Sequence, residues 1–567
     1  ELPPLTIEAG GYAVVHATKR TEKQKGNFVA LGISEAGETL ILSDADGNVI
    51  DVFETGALRA GTTSGRVVGS GAPVRVFFAS ATKGKSNDAA VRSAYAAEPV
   101  FSETALYHDA AFPLVLTSAT EGAEIRYTLD GSAPGPDSTL YTSPINISSN
   151  AVVRAAAYCD GLLQSDSVVM TYLFEQPHTV PVICISISPS AFSEVYAATI
   201  KKERVERQGV FSFYEDGALG VSFPCGFRAS GASTLTAAQK SLAVLLRSGY
   251  GVAETNYPFF ANSDVSAYRS LVLRNSGQDR TAARIRDSFF MKAVKGLNIE
   301  QVETRLTVVY VNGKYWGIYD LNENQNEDYL ASHYGVDPDA VDVIRRNFTA
   351  LEGTKYDFLR VREYALNRDL SDDALFAEFA EWVDVAYFTD YIIAQTYFAN
   401  SDMFNQKYWR SQDYSVKWRP VFFDLDFGLH SSSPTRNILS SYFRVEGVPS
   451  QDGSLTNMDI YVGLRKNAAW RDYFCERYVY VVLNHFNSER LCAILDEMAA
   501  QLRAEWPRHT ARWSDAPSLS KWESNVAALR DCLAKRAEYA LKYLQKEFGV
   551  SDEKMQEYRA KALAASA

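Results

Sequence analysis

The feature that most constrains the fold is a change of apolar period along the chain. Through about the first 175 residues, apolar positions come in short alternating bursts broken by Asp-Gly turns, the signature of half-buried strands. Val29, Leu31 and Ile33, then Leu40 and Leu42, then Val49, Val52 and Phe53 read as strands, with Asp46-Gly47 as a tight turn. A second block repeats the pattern: Ile125 to Leu129 alternates, Asp130-Gly131 turns, and Val152 to Tyr158 resumes. Both blocks are expected to be small immunoglobulin-like β-sandwiches. The small, polar stretch from Gly84 to Ala97 is expected to link them.

From about residue 178 strand-like and helical runs mix. Val180–Ile187, Leu242–Leu246, Leu306–Val311 and Tyr315–Leu321 read as strands. Ser371 is placed to cap a helix whose first turn carries Asp372 and Asp373. That pattern continues through Phe379, Trp382, Val383 and Ala386, and is apolar all round by Tyr391-Ile392-Ile393, as in a core helix. Leu491, Ile494, Leu495, Met498 and Leu502 keep helical spacing up to Pro507; Trp522, Val526, Leu529 and Leu533 keep it in a helix expected to stop near Gly549. The expected division is a β-sandwich over 1–90, a second over 97–175, a large α+β domain with C-terminal helices over 178–548, and a tail over 549–567.

Composition excludes some classes. At about 150 residues per domain, 567 residues make three or four units. Lys plus Arg is 57 and Asp plus Glu 69, a net charge of −12, which offers no general attraction for nucleic acid or an anionic membrane, although a local basic cleft survives it. No apolar run approaches the roughly 18–20 residues of a membrane span. Six cysteines (Cys159, Cys184, Cys225, Cys475, Cys492, Cys532) contain no CxxC pair, which argues against a zinc ribbon or a thioredoxin site and for buried packing residues. The chain opens Glu1-Leu2-Pro3-Pro4, so a leader is expected to have been removed.

Several catalytic signatures fail. Gly84-Lys85-Ser86 resembles the end of a P-loop, but Ala79 stands where its first Gly belongs. Gly69-Ser70-Gly71 lacks the third Gly of a dinucleotide fingerprint, since position 74 is Val74. There is no GxSxG elbow and no HExxH helix.

One constellation remains. A polar loop, Asn400-Ser401-Asp402-Met403-Phe404-Asn405, follows the core helix, then the strand-like Gln406 to Trp409, then Lys417 to Phe423 leading into Asp424-Leu425-Asp426-Phe427-Gly428. An Asp and an Asn on one loop, and an Asp beyond a hairpin strand, is how phosphotransferases divide their work: one Asp receives the hydroxyl proton, while Asn and the second Asp hold Mg²⁺ against the phosphates. Hard oxygen donors of this kind suit magnesium. Asp and Asn in loops also serve as ordinary caps and turn formers. Upstream, Arg228-Ala229-Ser230-Gly231-Ala232-Ser233-Thr234 is a hydroxyl-rich turn whose backbone amides could face phosphate, with Lys240 opening the next strand. Asn312-Gly313 signals a hairpin whose second strand ends at Glu323.

The runs RASGAS…QK, LVLRNSGQD, VYVNGKYWGIYDLNE, NSDMFNQKYW and KWRPVFFDLDFG fall in order across the third region, which resembles the CotH spore-coat kinase family. The resemblance implies an atypical kinase-like fold that binds ATP with Mg²⁺ or Mn²⁺ and phosphorylates protein hydroxyls. Carried over, it implies Asp402 as the catalytic Asp, Asn405 and Asp424 at the metal with Asp426 beside them, Arg228, Gly231, Ser233 and Lys240 at the phosphates, and Glu323 near the nucleotide. Whether Asp424 or Asp426 is the main metal ligand stays open. Residues 1–90 are similar to a lamin-tail immunoglobulin-like domain, and 97–175, through IRYTLDGSAP, LYTSPI and VVRAAAY, resemble the C-terminal sandwich of chitobiases. Both modules imply an extracytoplasmic, secreted or surface protein whose β units contact glycan or cell wall and whose substrate is a coat or surface protein.

Two other readings compete. A pseudokinase would be a non-catalytic surface scaffold that binds a protein or glycan partner. A glycosidase would use Asp402 and Asp424 as its acid/base pair, since glycoside hydrolysis also needs two carboxylates, but it has no need of Lys240 or Asn405.

Overall fold

The computed structural model describes residues 2–17, 26–34, 36–67, 75–87, 91–261, 263–403, 405–443 and 458–565. The motif residues Gly69, Ser70, Gly71, Val74 and Phe404 lie outside them.

The first region is β-rich, as its alternation requires, but its strands form three separate pairs: His16–Ala17 with Phe28–Val29, Thr39–Ser43 with Val49–Glu54, and Thr63–Arg66 with Arg75–Phe78. A sandwich needs two sheets whose inner faces interlock. Here Ile41, Leu42, Val49, Ile50 and Val52 are exposed, and only the last strand buries a run, Val76 to Phe78. The expected single sandwich is therefore replaced, among the described residues, by small sheets.

The second region does form two layers. A sheet ordered Thr139–Leu140, Glu124–Thr128, Ala151–Tyr158, Val168–Tyr172 faces the pairs Phe112–Leu114/Ile145–Ile147 and Val100–Phe101/Leu116–Thr117. Phe101, Leu114, Ile125, Ile145, Val153 and Tyr172 share the core between them. The later part of the expected linker is docked: Arg92 exchanges backbone hydrogen bonds with Phe77, and the amides of Ser93 and Ala96 donate to Gly161 and Leu163.

The third region opens with a closed seven-stranded barrel: β1 (Val182–Ser186), β2 (Glu206–Glu215), β3 (Ala218–Ser230), β4 (Ser241–Leu245), β5 (Ser270–Arg274), β6 (Thr304–Val311) and β7 (Lys314–Glu323), in the order β1-β2-β3-β4-β5-β7-β6. Closure comes from the parallel pairing of β6 with β1, Val182 against Val308. Side chains alternate between faces of a strand, so Ile183 and Ile185 join one core with Phe211, Leu242 and Leu271, while Val182 and Cys184 join the larger core with the helices. Both faces are buried, which is why these strands read as continuous apolar runs. Asn312 (φ 51°) and Gly313 (φ 74°) make the tight β6–β7 turn. The second β unit packs on the barrel: Val152 and Val169 meet Val210, and Ser186 donates to the Gly131 carbonyl. A Cβ on Gly131 would stand 2.1 Å from Asn312 Oδ1, so that approach requires glycine.

Beyond the barrel a four-stranded sheet, β8 (Val341–Arg345), β9 (Thr349–Glu352), β10 (Lys407–Ser411) and β11 (Arg419–Pro420), runs in the order β9-β8-β10-β11. The strand expected over Lys417–Phe423 shortens to two residues. Asp372, one residue after Ser371, caps the Asp373–Ala380 helix by accepting from Ala374 and Leu375. That helix is interrupted, and Asp384 caps a new one, Val385–Tyr397. The Ser488–Arg512 helix continues through Pro507. Leu519–Phe548 ends at Gly549, whose left-handed backbone (φ 63°) lets its N–H return to Gln545. The segment expected as a tail instead carries a helix, Asp552–Ala564, which buries Met555, Tyr558 and Ala562. All six cysteines are free, and Cys492 and Cys532 are buried.

Candidate functional site

The barrel register gathers chemistry on one rim. Ser230 at the end of β3 pairs with Ser241 at the start of β4, and Leu242 pairs with Leu273, so β3 and β5 end on the same side as β4 begins. Asn275 then ties the rim: its Oδ1 accepts from Ser241 Oγ (2.9 Å) and the Gly277 amide (3.0 Å), and its Nδ2 donates to the Gln239 carbonyl (2.6 Å).

Against this rim lies a cavity of about 450 Å³. Six cations line it (Lys201, Arg204, Arg228, Arg274, Arg345 and Lys407), together with the turn Ser230 to Thr234 and the carboxylates of Asp424 and Asp426. Crowding of like charge is visible in the basic groups. Burial and then Arg345, Arg204 and Arg346 lower the Lys201 pKa. Burial and then Arg228 lower that of Arg204. Burial, then Arg345, pushes Lys407 down to about 8. Charges held close in this way are relieved by a bound polyanion.

At the floor of the cavity Arg274 binds three carboxylates: Nε lies 2.9 Å from Asp287, and Nη2 3.0 Å from Asp424 and 2.8 Å from Asp426. Burial opposes the guanidinium's charge, but Asp287, Asp426 and Asp424 outweigh it and raise its pKa. Burial also pushes Asp426 well above the usual carboxylate range, and Asp287 upward. Each acid has a further partner. The amides of Leu425 and Gln278 donate to Asp287 (2.7 Å) and Asp426 (3.0 Å), and Asn405 Nδ2 donates to Asp424 (2.6 Å). Asn405 Oδ1 in turn accepts from Arg345 (3.2 Å). Asp424 has a left-handed backbone, φ 59°, and it and Asp426, two residues on, face the same guanidinium. The Asp424 side chain is 33% exposed and Asp426 1%, so Asp424 opens to the cavity and Asp426 stands behind it.

The structure therefore brings Arg228, Gly231, Ser233, Asn405, Asp424 and Asp426 to one place. Gly231 has φ 104°, and Ser233 Oγ accepts from Gln278 Nε2 (2.9 Å). Asp402 stands next to the lining: its amide donates to Asn400 (3.1 Å), its carbonyl accepts from Asn405 (3.0 Å), and Arg345 feels both its charge and that of Asp424. Two expected residues lie elsewhere. Lys240 is buried, and its ammonium donates to the Leu235 carbonyl, closing the loop before β4. Glu323 is buried, accepting from the Glu303 amide (2.8 Å) and His333 (2.8 Å) outside the cavity lining. Arg274, Arg345, Lys407 and Asp287 are the groups that motif reasoning missed; the quoted runs LVLRNSGQD and NSDMFNQKYW contain Arg274 and Lys407.

Among the described residues no three His, Cys, Asp or Glu side chains converge to hold a metal on their own. Magnesium rarely asks for that, taking one or two carboxylates and completing its shell with phosphate and water. Three carboxylates share one guanidinium in a largely buried cluster. In donor type, the Asp424 and Asp426 carboxylates fit a hard divalent cation.

Residues 227–540 match the CotH kinase protein family, and residues 114–172 match the Fn3-associated family. The match over the second β unit is thus to the Fn3-associated family, and neither match shows the lamin-tail or chitobiase likeness. No curated protein matches the chain. Among the described residues no helix is long and apolar enough to cross a membrane.

Proposed function

The chain belongs to the CotH kinase protein family, and we propose that it is an atypical, metal-dependent protein kinase that moves the γ-phosphoryl group of ATP to protein hydroxyls. The observation that carries this reading is the 450 Å³ cavity, where six cations surround two carboxylates. Phosphoryl transfer asks a protein mainly to position its reactants and neutralise charge. Arg228, Arg345 and Lys407 would hold phosphate oxygens, with Lys201 and Arg204 in the same lining and the Gly231–Ser233 turn offering backbone amides. Asp424, with Asp426 behind it and Asn405 bonded to it, would hold Mg²⁺ or Mn²⁺. When bound, that ion draws charge from the phosphate oxygens. Asp402, fixed by Asn400, is assigned the acceptor's hydroxyl proton. The Asp402 backbone is held near the metal-side group because its carbonyl accepts from the Asn405 backbone amide.

The proposed partner is a protein substrate, with coat or surface proteins as the class, and the proposed location is extracytoplasmic; the β-rich units ahead of the kinase region support this as spacers or glycan contacts. One observation favours the scaffold reading instead: Arg274 already occupies the acid cluster. A thermal shift separates the two. ATP with Mg²⁺ or Mn²⁺ at 100 times its Kd stabilises the fold by about 2.7 kcal/mol, and labelled γ-phosphate should then appear on an acceptor protein. A nucleotide shift without transfer would favour the scaffold, and no shift with any nucleotide would overturn the kinase reading.

A further inference from the structure

Arg274 is the unusual member of the cluster. It ends β5, on the barrel, whereas its three acids come from the Arg286–Ala293 helix and from the loop after β11. Its contacts are made at both edges of the guanidinium, Nε to Asp287 and Nη2 to the other two acids. The packing is close: a Cβ on Gly277 would fall 1.7 Å from Asp426 Oδ2 and 3.2 Å from Arg274 Nη2, so only glycine lets the pair meet. A guanidinium keeps its charge at any ordinary pH. It therefore neutralises part of the cluster permanently, at the two carboxylates that fit a divalent ion, while also lining the cavity where phosphates would lie.

Resting on the metal–nucleotide reading above, we propose that Arg274 is an internal counter-cation. With the cavity empty it holds Asp424 and Asp426 together. When nucleotide and metal enter, it yields those two carboxylates, keeps Asp287 through Nε, and turns Nη2 to the phosphates. The consequence is that metal alone binds weakly, because it competes with a tethered cation, and that metal and nucleotide bind with positive coupling. On this proposal, removing Arg274 should strengthen one interaction while weakening another.

The test is Mn²⁺ binding without nucleotide, followed by electron paramagnetic resonance on the full chain, with ATP binding in excess chelator measured alongside. Arg274→Met should bind Mn²⁺ about tenfold more tightly than the unaltered protein, an ordinary coupling between adjacent sites, and should bind metal-free ATP more weakly. Arg274→Lys keeps the charge but reaches fewer partners, and should fall between the two; it also serves if Arg274→Met fails to fold. A purely structural role predicts weaker Mn²⁺ binding in both variants, and that result would overturn the proposal. Equal Mn²⁺ affinity in all three proteins would overturn it while leaving the kinase reading intact. No Mn²⁺ binding by any of them, with or without ATP, would remove the metal reading as well.

Discussion

Among the described residues, two cavities differ in how the fold answers their charge, and the smaller of the two is the one assigned the chemistry. The larger, about 880 Å³, lies where the second β unit, the barrel and the Ser488–Arg512 helix meet. Its four cations, Lys292, Lys295, Arg305 and Arg490, are matched by Glu215, Asp216, Glu303 and Glu497. Lys295 pairs with Glu303, Arg305 with Glu215, and Arg490 is spent on the carbonyls of Ala293 and His485. The cavity of about 450 Å³ instead has six cations against two lining carboxylates. Volume alone would choose the larger cavity. Charge left unanswered by the fold marks where a ligand completes the structure.

The largest expected effect comes from within the smaller cavity. Asp402→Ala should lower phosphoryl transfer by about 10²–10⁴-fold, the range for loss of a general base, while leaving ATP affinity nearly unchanged. Asp424→Ala should lose both transfer and metal-dependent ATP binding. Transfer assays beside calorimetry check this, and equal loss of ATP affinity in the two variants would show that the aspartates do not divide the work.

Next come the cations. Lys407→Ala and Arg345→Ala should each weaken ATP about tenfold or more, since a charge-assisted hydrogen bond contributes about 1.5–3 kcal/mol. Arg305→Ala, in the larger cavity, should leave ATP affinity unchanged and cost at most about 1 kcal/mol of stability, because its pair with Glu215 is partly exposed. Raising salt should weaken ATP binding in the unaltered protein. An Arg305→Ala effect equal to that of Lys407→Ala would abolish the contrast between the cavities.

Gly277→Ala probes the geometry. Its positive φ of 51° and the clash with Asp426 predict destabilisation of about 1–3 kcal/mol, read by urea unfolding, with impaired ATP binding.

The smallest effect concerns Glu323. Burial works against charge on His333, but Glu323, Glu300 and Glu303 outweigh it and raise the ring's pKa. A raised histidine pKa stabilises the fold below the unfolded value of about 6.5 and loses that contribution as pH climbs through the folded value. Glu323→Gln should therefore reduce stability chiefly at mildly acid pH and leave ATP affinity alone, as a residue outside the cavity would. Thermal melts at pH 6 and pH 8 check it, and a fall in ATP affinity would return Glu323 to the site.

What could be read from sequence follows the range of the interactions. Barrel strands β1, β4, β6 and β7 were legible because apolar runs and an Asn-Gly turn are local. Closure was not, since it rests on Val182 meeting Val308. The exposed Thr39–Ser43/Val49–Glu54 hairpin misled because alternation reports strand, not what covers it. In the site, Asp424, Asp426 and Asn405 stood out by spacing. Arg274 and Arg345 did not, because an arginine on a strand looks the same whether it meets water or three acids. Lys240 stands just before a strand, as a phosphate-binding lysine could, but its ammonium turns to the Leu235 carbonyl.

A structure of the full chain with an ATP analogue and Mn²⁺ tests the central claim most directly. The triphosphate should lie among Arg228, Arg345 and Lys407, with the manganese signal at Asp424. Nucleotide in the larger cavity, or Asp424 far from the metal, would contradict it.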